Sequence, residues 1–397
     1  MSDYFPVEIL VEILHRIPAK SLVKCTGVCK SWRSLITDPT FILDHLRRTI
    51  DDDHEFLLIQ LCNEGVYTNR WRAPMRYSLR FDYDQLDEFS TLDLPLDSNI
   101  EFSVIGICNG LVCITSSREC YSLCICNPSI RRYVSLPKPS DYCGFNYHET
   151  CVGFGFDSRT DDYKVIRIVS MMDDTSYGVS PPEVELYSLA TGFWKNITSV
   201  APVCSMSFTG GEAPHACIDG ILHWGAKRRI NDCWYHFILS FDFGEEVFGE
   251  IKLPHNLANA SSHTITVIGG GKSLALYQET NWPCVSHIWV MKEYGDEGSW
   301  NKVFTFNLMG FYLEVPFWGK MLPEITSIPT AVCYRKSGEV LLLMSKEGEG
   351  CLYSLDIERK NLTDLRIGGR GYKWYMYSGY YAESLVLLNK ANGLVSY

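Results

Sequence analysis

The sequence of 397 residues has no long apolar run and no leader segment. No window approaches the roughly eighteen consecutive apolar residues that a membrane-spanning helix needs. The chain opens with Met1-Ser2-Asp3-Tyr4, and no basic segment leading into an apolar stretch follows. We therefore expect neither secretion nor membrane binding, and a location in the cytoplasm or the nucleus.

The sequence also lacks the short motifs of common enzyme classes. It contains neither H-E-x-x-H nor G-x-S-x-G, and its ten histidines are dispersed. Residues 268–273 end in Gly-Lys-Ser, as a phosphate-binding loop does, but Thr266 stands where that motif needs glycine. We interpret this stretch as a hairpin turn. No catalytic residue and no cofactor is predicted, although a triad assembled by folding stays open.

The sixteen cysteines are not arranged as a disulfide framework or a zinc site. They are scattered through a long chain, whereas disulfide frameworks are typical of short secreted ones. The densest group, Cys120, Cys124 and Cys126, lacks the paired C-x-x-C spacing and has no histidine close by. We expect mostly buried, reduced thiols and no metal site.

Positive charge is scarce after the first fifty residues. Residues 1–50 hold seven Lys or Arg against five Asp or Glu, a net charge of +2. The remainder holds 29 bases and 42 acids, so it carries −13 and the whole chain −11. This division argues against nucleic-acid binding by the larger region. It predicts an acidic partner for the N-terminus and a basic partner for the remainder.

The N-terminal stretch has the periodicity of short amphipathic helices. Apolar residues recur at three- and four-residue steps within residues 6–17, which places them on one stripe of a helix. Pro18 is expected to end this helix, and Ser21 to cap a second one that Gly27 divides. Pro39 is expected in the first turn of a further helix. Helices this short bury little surface, so we expect the unit to need a partner.

The order of these residues resembles the F-box of plant F-box proteins. The resemblance rests on Pro6-x-Glu8-Ile9-Leu10-x-Glu12-Ile13-Leu14-x-Arg16-Ile17-Pro18-x-Lys20-Ser21-Leu22 and on Val28-Cys29-Lys30-Ser31-Trp32-x-x-Leu35-Ile36-x-Asp38-Pro39-x-Phe41. It departs from that pattern at Phe5, where leucine is usual, and at Cys25-Thr26-Gly27. The resemblance implies docking on a Skp adaptor and, through it, on the cullin of an SCF complex. The adaptor-binding residues that it implies are Pro6, Ile9, Leu10, Ile13, Leu14, Pro18, Leu22, Val28, Trp32, Leu35 and Ile36.

From residue 51 onward the periodicity changes to short strand-like runs rich in aromatic and β-branched residues. Recurring units of about four strands begin about fifty residues apart, near Glu55, Gly110, Lys164, Gly220, Ser273 and Glu339. This period predicts a β-propeller of about six blades, because radial closure removes exposed sheet edges. Residues 382–388 are predicted to form a closing strand in the blade begun near Glu55 or near Glu339. A two-sheet β-sandwich stays open.

We thus predict an α+β multidomain chain, helical over residues 1–50 and all-β over residues 51–397. Several β segments look like the F-box-associated region of plant F-box/kelch-type proteins: Ile107–Cys113, Cys126–Pro137, Gly153–Val165, Val184–Trp194 and Gly220–Trp224. The resemblance implies a non-catalytic ligase subunit that binds a protein target, such as an immune regulator or a self-incompatibility ribonuclease, for ubiquitination and proteasomal degradation. The alternative is a propeller scaffold or enzyme that its F-box only tethers.

Long loops between the predicted strands are where we expect target binding, because loops vary without disturbing the core. Two of them carry aromatic residues with few charges beside them. On a region of net charge −13, these residues predict an aromatic interface whose acidic surround favours a basic target. The residues are Tyr142, Phe145, Tyr147, Phe311, Tyr312, Phe317 and Trp318.

Overall fold

The computed structural model begins with four helices and continues mainly as strands. It describes residues 6–51, 55–62, 75–83, 85–92, 102–116, 122–140, 148–171, 179–206, 216–231, 233–258, 263–270, 273–280, 285–307, 330–346, 349–370 and 376–388. The helices are α1 (Val7–His15), α2 (Ala19–Cys25), α3 (Lys30–Ile36), α4 (Pro39–Asp51) and the short α5 (His255–Ala258).

The strands of the described residues are, in chain order, β1 (Glu55–Cys62), β2 (Met75–Phe81), β3 (Glu88–Thr91), β4 (Phe102–Cys108), β5 (Leu111–Ser116), β6 (Leu123–Asn127), β7 (Arg132–Ser135), β8 (His148–Asp157), β9 (Asp162–Met171), β10 (Glu183–Ser188), β11 (Phe193–Asn196), β12 (Ser205–Met206), β13 (Ala216–Ile218), β14 (Ile221–Ile230), β15 (Cys233–Asp242), β16 (Val247–Lys252), β17 (His263–Gly270), β18 (Ser273–Thr280), β19 (Val285–Met291), β20 (Trp300–Asn307), β21 (Thr330–Tyr334), β22 (Glu339–Lys346), β23 (Glu349–Asp356), β24 (Asn361–Arg370) and β25 (Met376–Ala382).

The ends of the short helices follow the local sequence. Pro18 is the N-cap of α2 with φ of −55°, so the predicted cap at Ser21 is wrong by one turn. The chain breaks around Gly27 between α2 and α3, as predicted. Cys29 is the N-cap of α3, and its Sγ accepts a weak hydrogen bond from the backbone N–H of Trp32 at 3.5 Å.

The strands form six separate antiparallel sheets, which are the blades of a six-blade β-propeller. Their strand orders are β25-β1-β2-β3, β4-β5-β6-β7, β11-β10-β9-β8, β12-β14-β15-β16 with β13 beside β14, β17-β18-β19-β20 and β21-β22-β23-β24. The predicted blade count is confirmed and the sandwich alternative is wrong. Each of the six predicted unit starts lies within two residues of the start of a strand, namely β1, β5, β9, β14, β18 or β22. Each of these strands has a neighbouring strand on both sides in its sheet.

The first blade is completed by a strand from near the end of the chain. β25 pairs with β1, so a closing strand joins the blade begun near Glu55 and not the one begun near Glu339. The strand covers Met376–Ala382, and residues 386–388 of the predicted closing strand form a turn. The structure thus selects one of the two predicted blades. The predicted strand was placed about six residues too late, because Leu385 to Leu388 have the same apolar character as a strand.

Residues that follow β25 are hydrogen-bonded to the second blade. The side-chain Nδ2 of Asn127, at the end of β6, donates to the backbone oxygens of Ser384 at 3.0 Å and Val386 at 2.8 Å. Asn127 and Ser384 are both fully buried. The hydroxyls of Ser129 and Tyr381 lie 2.6 Å apart and share a further hydrogen bond. Because the buried amide of Asn127 has hydrogen-bond partners at fixed positions, it favours one alignment of the residues after β25 on the second blade.

The chain divides into two compact units. The first contains residues 1–60, 76–138 and 378–397, and therefore the four N-terminal helices and the first two blades. The second contains residues 61–75 and 139–377, and therefore the other four blades. One apolar cluster of this unit joins strands β8 to β10 and β14 to β15, with Trp224, Phe237, Phe241 and Phe243 fully or almost fully buried.

Two glycines of β8 mark a close approach between neighbouring blades of the second unit. A Cβ at Gly155 would lie 2.2 Å from a ring carbon of Phe243, and one at Gly153 would lie 2.4 Å from Leu222 and 2.7 Å from Trp224. No side chain larger than hydrogen fits between these surfaces. The Gly-x-Gly pattern at this position therefore reflects blade packing.

Gly110 provides a test of the attachment of the C-terminal residues. It has φ of +75°, and an added Cβ would lie 2.5 Å from the backbone oxygen of Ala382 and 2.5 Å from Oγ of Ser384. Gly192 is a matched control, because it has φ of +78° and nothing within 4 Å of the same position. Both alanine variants suffer backbone strain, but only Gly110→Ala also overpacks the contact.

We expect Gly110→Ala to lower the free energy of unfolding by about 1–3 kcal/mol more than Gly192→Ala does. Denaturant titration of the two full-length variants followed by tryptophan fluorescence measures the difference. Equal losses of unfolding free energy in the two variants would contradict a close contact of Gly110 with Ala382 and Ser384.

Candidate protein-interaction sites

The predicted adaptor-binding residues fall into two groups in the structure. Leu14, Leu22 and Ile36 are fully buried and form the inside of the helical unit, together with Phe41 and Leu46, which are 4% exposed. Burial of this kind holds α1 and α3 against α4, and α2 against α3. These three residues therefore stabilise the unit and are not available at its surface.

The second group is exposed. Ile9 and Ile13 are 47% and 48% exposed and lie one turn apart on α1, so they share a face. Val28 is 64% exposed, and Pro6 is exposed as well. Val7 is 63% exposed, but it is two residues from Ile9 and therefore faces another side of α1. We call the exposed face formed by Ile9 and Ile13 the N-terminal apolar surface.

The remaining predicted positions are intermediate or peripheral. Leu10, Trp32 and Leu35 are half-buried, whereas Pro18 is exposed. Half-buried side chains of this size touch the core and still offer part of their surface to a partner.

The surface of α2 and α3 is positively charged. Lys20, Lys24, Lys30 and Arg33 are all exposed, and residues 19–37 contain no Asp or Glu. Exposed charges of one sign favour association with a partner of the opposite sign, mainly through the association rate. The helical unit thus combines an apolar surface with a basic one.

Polar contacts fix the orientation of α1 on α4. Glu12 accepts hydrogen bonds from Arg48 at 2.9 Å and from Arg16 at 3.3 Å. The hydrogen bond from Arg48 is the main reason why the pKa of Glu12 is lowered. The buried His45 of α4 donates from Nε2 to the backbone oxygen of Ile17 at 2.9 Å, because a carbonyl oxygen only accepts.

Two histidines lie at the junction of α1 and α4. The rings of His15 and Phe41 are stacked with centroids 4.3 Å apart. Burial lowers the pKa of both His15 and His45 below the ordinary value of 6.5. Since Nε2 of His45 already carries a proton, a second proton would go to Nδ1, which is buried without a hydrogen-bond partner among the described residues.

Buried charges in the blades are paired with one another. Lys164 Nζ donates to Asp157 at 2.8 Å and to Glu246 at 3.0 Å. Burial alone would raise the pKa of Asp157, but hydrogen bonds from Lys164 and other donors outweigh it and lower the pKa to about 2. Arg167 pairs with Glu185 at 3.1 Å, where both are almost fully buried. Each of these buried cations therefore has a carboxylate partner within the fold.

The titratable side chains of the described residues do not gather into a metal site. These residues contain no group of three or more His, Cys, Asp or Glu that could hold a metal ion. Cys124 and Cys126 are buried, and burial raises the pKa of the Cys124 thiol to about 12, while Cys120 lies outside the described part of the chain. The buried His223 has a pKa lowered to about 4 by burial.

The aromatic residues predicted to bind the target lie outside the described residues. These are Tyr142, Phe145, Tyr147, Phe311, Tyr312, Phe317 and Trp318. The prediction for these residues therefore stays a prediction. Within the described part of the chain, no helix is long and apolar enough to cross a membrane.

Comparisons with known proteins cover most of the chain. Residues 74–388 match the F-box associated beta propeller domain, and residues 3–47 match the F-box-like family. F-box protein CPR1 of Arabidopsis thaliana is 30% identical over 91% of this chain and 84% of its own length. An F-box/kelch-repeat protein of the same plant is 29% identical over 79% of this chain and 82% of its own length.

The position of His45 predicts that acid destabilises the helical unit. Its pKa is lowered in the folded state, so the unfolded chain takes up the proton first as the pH falls below about 6.5. Stability is therefore complete above that pH and declines below it. When the pH falls from about 7.5 to 5.5, we expect the wild type to lose up to about 1 kcal/mol more free energy of unfolding than His45→Gln does. The glutamine amide can also donate to the backbone oxygen of Ile17.

Urea titrations at the two pH values, followed by far-ultraviolet circular dichroism, measure this difference. His255→Gln, at an exposed position of α5, is the control and should keep the wild-type pH dependence. An unchanged pH dependence in His45→Gln would contradict the assignment.

Proposed function

This chain belongs to the plant F-box proteins with an F-box associated β-propeller domain, and we propose that it is the substrate-recognition subunit of an SCF-type ubiquitin ligase. In this proposal residues 1–50 dock on a Skp adaptor, which connects them to a cullin. Residues 51–397 bind a protein target for ubiquitination and proteasomal degradation. The chain itself makes no bond, and it promotes the reaction by holding the target close to the ubiquitin-carrying enzyme.

The observation that carries adaptor docking is the N-terminal apolar surface. Its two members, Ile9 and Ile13, are 47% and 48% exposed, while the neighbouring Leu14 is fully buried. An apolar surface of this kind on a folded unit is typical of a protein-interaction site. We propose that Ile9 and Ile13 enter a groove of the adaptor, with Leu10, Trp32 and Leu35 at its margin.

Charge supports the choice of partner. The exposed cations of α2 and α3 favour an acidic adaptor, and the net charge of −13 on the remainder favours a basic target. The proposed function implies a location in the cytoplasm or the nucleus, where ubiquitin ligases of this type act. The second candidate function is a propeller scaffold that the F-box tethers without degradation, and it shares the adaptor contact.

If the adaptor docks on this surface, substitution of its exposed residues should weaken adaptor binding and leave the stability of the chain unchanged. We expect Ile9→Ala combined with Ile13→Ala to weaken adaptor binding by about 2 kcal/mol or more, which is roughly thirtyfold, without changing the thermal stability of the chain. Leu14→Ala should instead lower the free energy of unfolding by about 2–5 kcal/mol, because it removes a fully buried side chain.

Isothermal titration of a purified Skp adaptor into the full-length variants measures the binding. Val247→Ala is the matched control, because Val247 is 49% exposed on β16, outside the helical unit. Wild-type adaptor affinity in the Ile9 and Ile13 double variant would reject the proposed docking surface. Wild-type target turnover in cells despite lost adaptor binding would favour the tethered scaffold.

A further inference from the structure

Four aromatic side chains of the first blade form one cluster. Phe56 of β1 stacks on Phe89 of β3 with ring centroids 4.3 Å apart. Phe81, at the end of β2, lies 5.3 Å from Phe89 and 5.6 Å from Phe56. Tyr83, in the turn that follows β2, stacks on Phe81 at 5.5 Å. The cluster therefore extends across three adjacent strands.

This cluster is unusually exposed for its size. Phe81, Tyr83 and Phe89 are 38%, 46% and 48% exposed. The described residues contain five exposed aromatic side chains, and the other two, Phe193 and Tyr294, do not belong to this cluster. Contiguous apolar surface that stays in water mostly marks a binding site, whereas single exposed residues need no explanation.

The rim of the cluster is acidic. Among residues 80–88, the described ones contain one arginine and three acids, a net charge of −2. The arginine, Arg80, pairs with Glu88 at 3.0 Å, so these two charges offset each other. Asp87 is exposed and accepts a hydrogen bond from Tyr83 at 3.0 Å. The carboxylate of Asp87 therefore lies beside the cluster.

The stacking partners of Phe81 and Phe89 among the described residues are aromatic rings, those of Tyr83 and Phe56. Among the described residues, no Lys or Arg lies over the rings of Phe81 or Phe89. Trp234 of the same chain differs from these rings, because Lys227 and Arg229 lie 4.9 and 5.4 Å from the centroid of its ring. Aromatic faces beside carboxylates attract guanidinium and ammonium groups both through the ring and through the charge.

The backbone beside the cluster is also available. β3 is the last strand of its sheet, and its four residues have mostly exposed side chains. An edge strand offers hydrogen-bonding groups to an extended segment of a partner, and alternate side chains of that segment then face the same way. Every second residue would thus lie near the aromatic rings.

We propose that this cluster, formed by Phe56, Phe81, Tyr83 and Phe89, binds an extended basic segment of the target protein. Arginine or lysine side chains of that segment lie over Phe81 and Phe89 and pair with Asp87. This inference rests on the proposed function, since it names the kind of segment that the target presents. It places a target contact on the first blade, in the same compact unit as the helices.

A direct binding measurement tests this site. The probe is a fluorescein-labelled peptide of alternating arginine and threonine, and the comparison peptide has glutamate in place of arginine. We expect the full-length chain to bind the arginine peptide selectively, and Phe89→Lys to weaken this binding about tenfold or more, by removing the ring and adding a like charge. Phe193→Lys should leave it unchanged, since Phe193 is 74% exposed on the outer strand of another blade.

Asp87→Asn provides a second, milder variant that keeps a hydrogen-bond acceptor for Tyr83. We expect a loss of about threefold and a weaker dependence of the affinity on salt concentration. Adaptor affinity is measured on the same preparations and should be unchanged in all three variants. If the chain does not bind the adaptor but binds the arginine peptide, the proposed function is wrong and the proposed peptide site still stands.

Three results would overturn the inference. The first is equal binding of the arginine and glutamate peptides. The second is equal affinity of the arginine peptide for the wild type and Phe89→Lys. The third is absence of peptide binding together with a dimer that Phe89→Lys dissociates, which would identify the cluster as a contact between two copies of the chain.

Discussion

The propeller depends on the pairing of a strand near the end of the chain with one near its beginning. β25 supplies the first strand of the sheet that contains β1, β2 and β3, and without it β1 would present an unpaired edge. The hydrogen bonds from Asn127 to the residues after β25 add the second blade to the same assembly. The two blades and the end of the chain therefore form one cooperative structure within the first compact unit.

In the helical unit, apolar residues that look alike in the sequence are either buried in the core or exposed at the surface. Leu14 is fully buried and Ile13, its neighbour, is 48% exposed, although both belong to the same periodic pattern. A short helix with apolar residues over a wide arc packs one side inward and leaves the adjoining side for another protein. The exposed cations of α2 and α3 lie in the same helical unit as this exposed apolar face.

Much of the architecture could be predicted because it depends on local patterns. Helix breaks at Pro18 and Gly27 follow from backbone chemistry, and the six blades follow from the spacing of strand-like runs. The position of the closing strand was less predictable, since Leu385 and Val386 are as apolar as a strand while β25 itself is rich in tyrosine. Exposure was less predictable still, because it depends on which side of α1 packs on α4. The aromatic cluster joins Phe56, Phe81 and Phe89, which only the pairing of three strands brings together.

The use of β25 to complete the first blade also sets an order of events during synthesis. β1 begins at Glu55, whereas β25 begins at Met376, so the first sheet waits for its partner while almost the whole propeller is translated. At about 5–20 residues per second, this interval is on the order of tens of seconds. Throughout that time the nascent chain carries an open edge at β1, where strands of other chains can pair wrongly. A chaperone that shields β1 until translation ends would therefore raise the yield of folded protein more than one that acts on the later blades.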